Sequence, residues 1–271
     1  MNYLAREGSP ISAELWEQID SAVVGSARKV LTGRRFLHVF GPLGSGAQSI
    51  AVDRAGAVEE AAGDGIVTTK GRTYIEIPLL YHDFILRARD LENSARLGYP
   101  VNLSEAADAA AACARKEDAL IYFGDAALGY EGLLTAEGIG KRKRSDWKEG
   151  ENAYTDLAAA IELLVSKGVY GDYALVLSQD LYLQLQRIQP GTGVLEYDRI
   201  LKLLDGKVFR TPVLGAGKAA LVCSEPRNVD LVIGQDLAAA YLEQKELNHS
   251  FRVLETVLPR IKNRNAIVAF E

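Results

Sequence analysis

An α+β fold is the class this sequence predicts, and three observations predict it. Helix-like and strand-like stretches are mixed along the chain. The strand-like stretches come late and in succession, instead of alternating with helices as parallel α/β folds do. One long helical stretch, Ser104–Phe123, is rich in alanine and apolar on every face near its end, as a helix buried by the rest of the protein would be. The 271 residues suffice for one large domain or two small ones. A hydrophobic share of 48% and a charged share of 25% are those of an ordinary globular protein and exclude wholesale disorder.

The first helix is capped by Ser12 and carries Leu15, Trp16, Ile19, Val23, Ala27, Val30 and Leu31 at spacings of three and four, one apolar face. Arg28 and Lys29 sit where the helix dipole favours cations, and Gly33 is expected to end the helix. Residues 34–40 (RRFLHVF) alternate like a strand, and GPLGSG at 41–46 is an abrupt turn. Residues 47–76 have few large apolar side chains and cannot bury a core of their own. They read as a two-stranded excursion that needs a partner surface, because an isolated hairpin is marginal in water.

Residues 75–84 (IEIPLLYHDF) return to a strand pattern, with Pro78 suited to an edge or bulge. Residues 86–97 read as a helix ending at Gly98. In the central helix Ser104 is the expected N-cap, Glu105 and Asp108 complement the dipole, and Gly124 is the expected C-terminal stop. The glycines at 124, 129 and 132 then predict a tight hairpin. Residues 137–150 (EGIGKRKRSDWKEG) read as a basic loop or hairpin tip. A helix over 152–167, a buried strand over 173–177, and a helix from Ser178 to about Ile188 follow. QPGTG at 189–193 is a loop, and 198–204 a short helix. AALVCS, VDLVIG and DLAAAYLE are successive strands, and a long strand pair, 250–261 with 266–270 joined by KNRN, closes the chain.

Several function classes find no support. A net charge of −5 argues against nucleic acid as a general partner. No apolar run reaches the roughly 20 residues of a membrane-spanning helix, and MNYLAREGSPISAELW lacks a signal-peptide pattern, so a cytoplasmic location is expected. Cys113 and Cys223 are too far apart in sequence for a disulfide framework or a zinc spacing. GPLGSG and GAGKA match neither the dinucleotide nor the Walker pattern, and Ser45 does not sit in a nucleophile elbow. His38, His82 and His249 are isolated, so no catalytic residue, no metal site and no cofactor emerges. Two readings stay open at this level: a non-enzymatic structural protein, or a hydrolase or protease whose site is assembled only in space.

Five long stretches then carry a resemblance: LTGRRFLHVFGPLGSGAQS, IPLLYHDFILRARDLE, EDALIYFGDAALGYEGLL, YALVLSQDLYLQLQRIQPGTGVLE and NVDLVIGQDLAAAYLEQKELNHSFRVLETVLPRIK. Together they resemble the family 1 encapsulins, also called linocin-like bacteriocins, over nearly the whole chain. The resemblance implies the tailed-phage major capsid fold of the Hong Kong 97 type and an icosahedral shell of many copies. It implies a cargo enzyme inside, of ferritin-like iron-oxidase or dye-decolorising peroxidase type, and hence iron storage or oxidative-stress defence. A phage major capsid protein would share the fold. It implies a first segment 1–46 with the N-terminal helix, an extended loop 47–76, and a peripheral domain 77–134 with 104–123 as its spine helix. An axial domain 135–222 and peripheral strands 223–271 follow. It places a cargo targeting peptide on Val23, Ala27, Leu31, Arg34, Leu231 and Ile233, with His38 where relatives are often acidic. It places a five-fold pore loop on Gln189, Pro190, Gly191, Thr192 and Gly193. Where some relatives stack a flavin on an aromatic residue, this chain has Ala88, so no flavin is expected.

Overall fold

The computed structural model describes residues 3–52, 58–61, 66–69 and 72–271. Two five-stranded sheets dominate it. The first is built on β15 (Asn248–Ile261), which pairs antiparallel with β6 (Leu79–Leu86), β13 (Val229–Ile233) and β14 (Ala238–Lys245). β1 (His38–Phe40) adds to β13 in parallel at the sheet's edge. The second sheet has the order β11 (Val208–Arg210), β10 (Tyr173–Leu177), β12 (Ala219–Cys223), β16 (Ile267–Phe270) and β9 (Gly140–Arg142).

α1 (Ala13–Val30) and α3 (Ser104–Phe123) cover one face of the first sheet. Trp16, Ile19, Val23 and Ala27 of α1 meet Ala106, Ala109, Ala110, Cys113 and Ala114 of α3, over Phe84, Phe251 and Val253 of the sheet. The small alanine side chains let the helix and sheet approach closely, which is why this segment is alanine-rich. Ser12 caps α1 as expected, accepting from the Leu15 N–H at 3.2 Å. α2 (Ala88–Leu97) ends on left-handed Gly98 and buries no residue. The second sheet is packed by α4 (Asn152–Ser166), α5 (Gln179–Gln184) and α6 (Glu196–Leu203), around Trp147, Leu157, Leu164, Leu175 and Phe270.

The 47–76 segment is an excursion in two pieces. β2 (Ser49–Ala51) pairs with β5 (Tyr74–Glu76) at its base, and β3 (Val58–Ala61) with β4 (Ile66–Thr69) beyond. The base packs through Ile50, Val52 and Ile75 on Ile77, Val232 and Leu258. Residues 53–57, 62–65 and 70–71 of the expected extended loop lie outside the described residues. After α3, β7 (Gly124–Asp125) and β8 (Tyr130–Glu131) form the expected hairpin. A Cβ on Gly132 would come within 2.4 Å of backbone atoms of Phe123 and Gly124.

Several expectations need correction. α1 stops at Val30, and Gly33 instead opens a short 3-10 turn, Gly33–Arg35. That turn takes the front half of the strand expected over 34–40. Leu103, not Ser104, is the N-cap of α3, and the Ser104 N–H donates to Asn102 Oδ1 at 3.0 Å. The helix after Ser178 is a turn and a half, ending at Gln184, because Ile188 pairs with Leu195 across the next loop. The basic 137–150 stretch contains β9, an edge strand parallel to β16. The largest correction concerns the end of the chain. β15 and β16 do not pair with each other: KNRN carries the chain from the first sheet into the second. The 223–271 segment is therefore divided between the two sheets, with β16 completing the sheet of 135–222.

Gly132→Ala should lower unfolding stability by about 1–3 kcal/mol, the cost of an overpacked site. Gly25→Ala, in open space inside α1, should raise it by about 0.5–1 kcal/mol. Urea titrations of the two variants check the pair.

Candidate functional site

The site is a groove at the C-terminal end of α1, about 400 Å3, lined by Val24, Ala27, Arg28, Leu31, Arg34, Arg35, Asp236 and Leu237. Its walls come from three places: the last turns of α1, the 3-10 turn after it, and the loop between β13 and β14. The apolar wall exists because a helix turns about 100° per residue. Val23 and Ala27 face α3, while Val24, 37% exposed, looks outward into the groove.

Arg34 is the hub beneath it. Its guanidinium meets three carboxylates: Glu117 of α3 at 2.6 Å, Glu255 of β15 at 2.7 Å, and Asp236 at 2.6 Å. Glu117 and Glu255 are fully buried, whereas Asp236 is exposed at the rim. Burial works against the Arg34 charge, but its hydrogen bonds to Glu117 and the charges of Glu117 and Glu255 outweigh it and hold the guanidinium firmly protonated. Burial, then the neighbouring Glu117 charge, pushes the Glu255 carboxyl well above its usual range. One guanidinium between two buried carboxylates thus favours a proton held on Glu255.

Asp118 fixes the adjoining backbone. Its carboxylate accepts the Thr32 and Gly33 N–H groups at 3.0–3.1 Å, capping the 3-10 turn that aims Arg34 inward. Burial raises Asp118 to about 6, against the opposing pull of those N–H bonds. A Cβ on Gly33 would lie 2.3 Å from Ile121 Cδ1, so only glycine lets the turn sit this close to α3.

Of the residues expected to hold a targeting peptide, Ala27, Leu31 and Arg34 come together in this groove. Val23, Leu231 and Ile233 do not. Val23 is packed between α1 and α3, and the β13 residues are buried in the core with Phe36 and Ile121. The family resemblance put them at the peptide site; the packing puts them in the core. Val24, Arg28, Arg35, Asp236 and Leu237 were missed. For Val24 and Arg28 the helical spacing carried a signal, since they flank Ala27 on the next face. Asp236 and Leu237 sit in a loop and carried none. His38 lies exposed on edge strand β1.

The 189–193 loop is built rigidly. The Gln189 N–H donates to the Val194 carbonyl at 2.9 Å, and Thr192 folds back on the Gln189 carbonyl through both its N–H and its hydroxyl. Gly191 and Gly193 adopt positive φ of 80° and 68°, which the loop requires and glycine permits. The loop tip, Pro190 to Val194, is exposed and uncharged, while Gln189 is buried. Ala88 opens α2 and offers only a methyl group, its N–H bonded to Asn248 Oδ1 at 3.1 Å. Among the described residues no group of three His, Cys, Asp or Glu is placed to hold a metal ion, and no helix is long and apolar enough to cross a membrane. Cys113 and Cys223 are buried, and burial pushes the Cys113 thiol up to about 12, far from a reactive thiolate.

A family model described as "encapsulating protein for peroxidase" matches residues 1–258. The type 1 encapsulin shell protein EncA of Myxococcus xanthus is 39% identical over 277 residues, covering 100% of this chain and 96% of that protein. A diheme-cytochrome–encapsulin shell fusion protein of Kuenenia stuttgartiensis is 37% identical over 96% of this chain and 74% of its own length. Among solved structures, a virus-like particle from Pyrococcus furiosus superposes with a TM-score of 0.78 at 25% identity, over 96% of this chain and 100% of that one. The capsid of Myoviridae phage XM1 superposes with a TM-score of 0.61 at 17% identity, over 97% of this chain and 99% of that one.

Two outcomes test the hub. Arg34→Met, which leaves the buried Glu117 carboxylate and Glu255 carboxyl without their guanidinium, should cost about 3–5 kcal/mol of stability, read by urea unfolding. Glu255→Gln mimics the protonated acid. Because the folded state raises the Glu255 pKa, wild type loses stability as pH climbs above the ordinary glutamate value. The variant should therefore gain on wild type between pH 5 and pH 8, and show no gain at pH 4.

Proposed function

The chain belongs to the encapsulin shell-protein family, and on that footing we propose that it encloses a cargo enzyme held by a targeting peptide in the groove at the end of α1. As a member of that family it is a structural shell subunit with the phage-capsid fold, not an enzyme, and it assembles in many copies. The observation that carries the cargo reading is the groove itself: an apolar strip of Val24, Ala27, Leu31 and Leu237, bordered by Arg28, Arg34, Arg35 and Asp236. A short peptide can lay two or three apolar side chains along such a strip and take hydrogen bonds from its rim.

The cargo follows as a class. Relatives are named as fusions of a shell with a diheme cytochrome and with a ferritin-like protein, and a redox enzyme of ferritin-like or peroxidase type is the proposed cargo here. Iron storage or oxidative-stress defence in the cytoplasm would be its role. In the same reading α3 is the spine of a peripheral domain built on the first sheet, and the second sheet is the axial domain. The 189–193 loop lines the five-fold pore, and the β2–β5 excursion reaches a neighbouring subunit. The phage-capsid alternative shares the fold but not the family match, and nothing in the groove suits a hydrolase.

Negative-stain microscopy of purified protein should show closed, uniform particles, and a chain that stays monomeric would defeat the reading. Leu31→Asp should leave particles intact but cut loading of a co-expressed reporter that ends in a cargo tail at least tenfold, because a charge buried against the peptide is costly. Unchanged loading would move the peptide site elsewhere.

A further inference from the structure

The charges around the groove at the end of α1 do not balance. Three arginines line it, Arg28, Arg34 and Arg35, against one acid, Asp236. The Arg34 charge is already answered by Glu117 and Asp236, each at 2.6 Å, with Glu255 at 2.7 Å. Asp236 is thereby engaged as well. Arg28 and Arg35 are exposed, and among the described residues neither has a carboxylate within ion-pair distance. With Glu117 ionised and Glu255 holding a proton, the groove and its floor carry an excess of one positive charge.

The two free guanidiniums are placed to be used. Val24 and Arg28 are four residues apart on one helix, so they share a face, and the apolar strip runs directly up to the Arg28 head group. Arg28 also complements the dipole at the end of α1, but Lys29 beside it does the same, so the dipole alone does not require both. Arg35 opens from the 3-10 turn on the other side of Leu31 and Arg34. Its guanidinium lies 5.8 Å from the centre of the Phe209 ring, a contact that steadies it without consuming its N–H donors. A guanidinium presents a fork of donors that fits a carboxylate, and such charge-assisted bonds are the strong ones.

An apolar strip that ends at two unpaired arginines suits an occupant that is apolar along its length and acidic at one point. We propose that the groove selects a peptide carrying a carboxylate beside its apolar residues, and that Arg28 and Arg35 are the residues that read it. The carboxylate is that of an Asp or Glu side chain or of the peptide's own C-terminus. A basic tail would meet repulsion and leave both guanidiniums unanswered, which is how the rim rejects it. The inference rests on the reading of the groove as a peptide site, and adds the charge that the peptide carries. Two exposed guanidiniums on one carboxylate should add roughly three- to tenfold in affinity, a gain that shrinks as salt rises.

A selection on full-length shells tests it. The shell protein is co-expressed with a fluorescent protein ending in a short randomised tail, and the tails recovered from purified particles are sequenced. A second library places a Gly-Ser spacer after the same tail, so that the C-terminus cannot reach the groove. Asp and Glu enriched about threefold or more over the input in both libraries, beside apolar residues, assign a side-chain carboxylate. Apolar tails recovered about threefold better from the unspaced library assign the terminal carboxylate. Arg28→Gln combined with Arg35→Gln, both at exposed positions, should still form particles and should abolish whichever preference wild type shows. Neutral or basic tails recovered equally from both libraries overturn the proposal, as does a preference that survives in the double variant. Tails with no apolar enrichment in either library sink the peptide reading beneath it, whereas apolar tails without a charge preference sink this inference alone.

Discussion

Two adjacent carboxylates in the middle of α3 cannot stay buried without partners, and the architecture around them meets that demand. Glu117 is paired with Arg34, and Asp118 takes the N–H groups of Thr32 and Gly33. Those partners lie directly after α1, so the demand fixes where α1 ends, how the chain leaves it, and which way the first sheet begins. Glu255 brings β15 to the same guanidinium. Helix, turn and sheet are tied at one point, and the groove opens over it. A buried ion network of this kind is weak evidence for net stability, but loss of one member is expensive, so it fixes geometry more firmly than it adds free energy.

In the proposed reading, that geometry is what would give a structural protein its peptide site. The groove is shaped by rigid elements: a helix end, a capped turn and a loop anchored through Asp236 to Arg34. The arginine at its floor is already satisfied by buried acids, so it presents a firm wall and not a free charge. Specificity then rests with shape and with the rim. The second sheet packs its helices on one face around a core of its own, and its other face shares a core with the first sheet, where Ala174, Val176, Ala220 and Ile267 meet Phe36, Ile121, Leu231 and Val257.

What lies on the outside of the molecule follows from the same logic. The face of the first sheet toward α1 and α3 is closed within the chain, and the outward face of β6 exposes Leu79, Tyr81 and Ile85 beside the Arg252–Asp83 ion pair. Exposed apolar side chains of this kind suit a protein whose relatives are shell proteins.

The class of fold and the extent of α3 were legible in the sequence, because each depends on local pattern: alanine content and glycine stops. The five long matching stretches made the family legible as well. The register of the groove was not. Apolar periodicity marks Val23, Leu231 and Ile233 as buried but cannot say whether against the core or against a ligand, and only packing decides that they are core. Nor could the sequence place Asp236 on Arg34, across 202 residues, or send β16 into the second sheet. Strand partners and buried ion pairs are chosen by contacts distant in sequence, and local pattern carries no record of them.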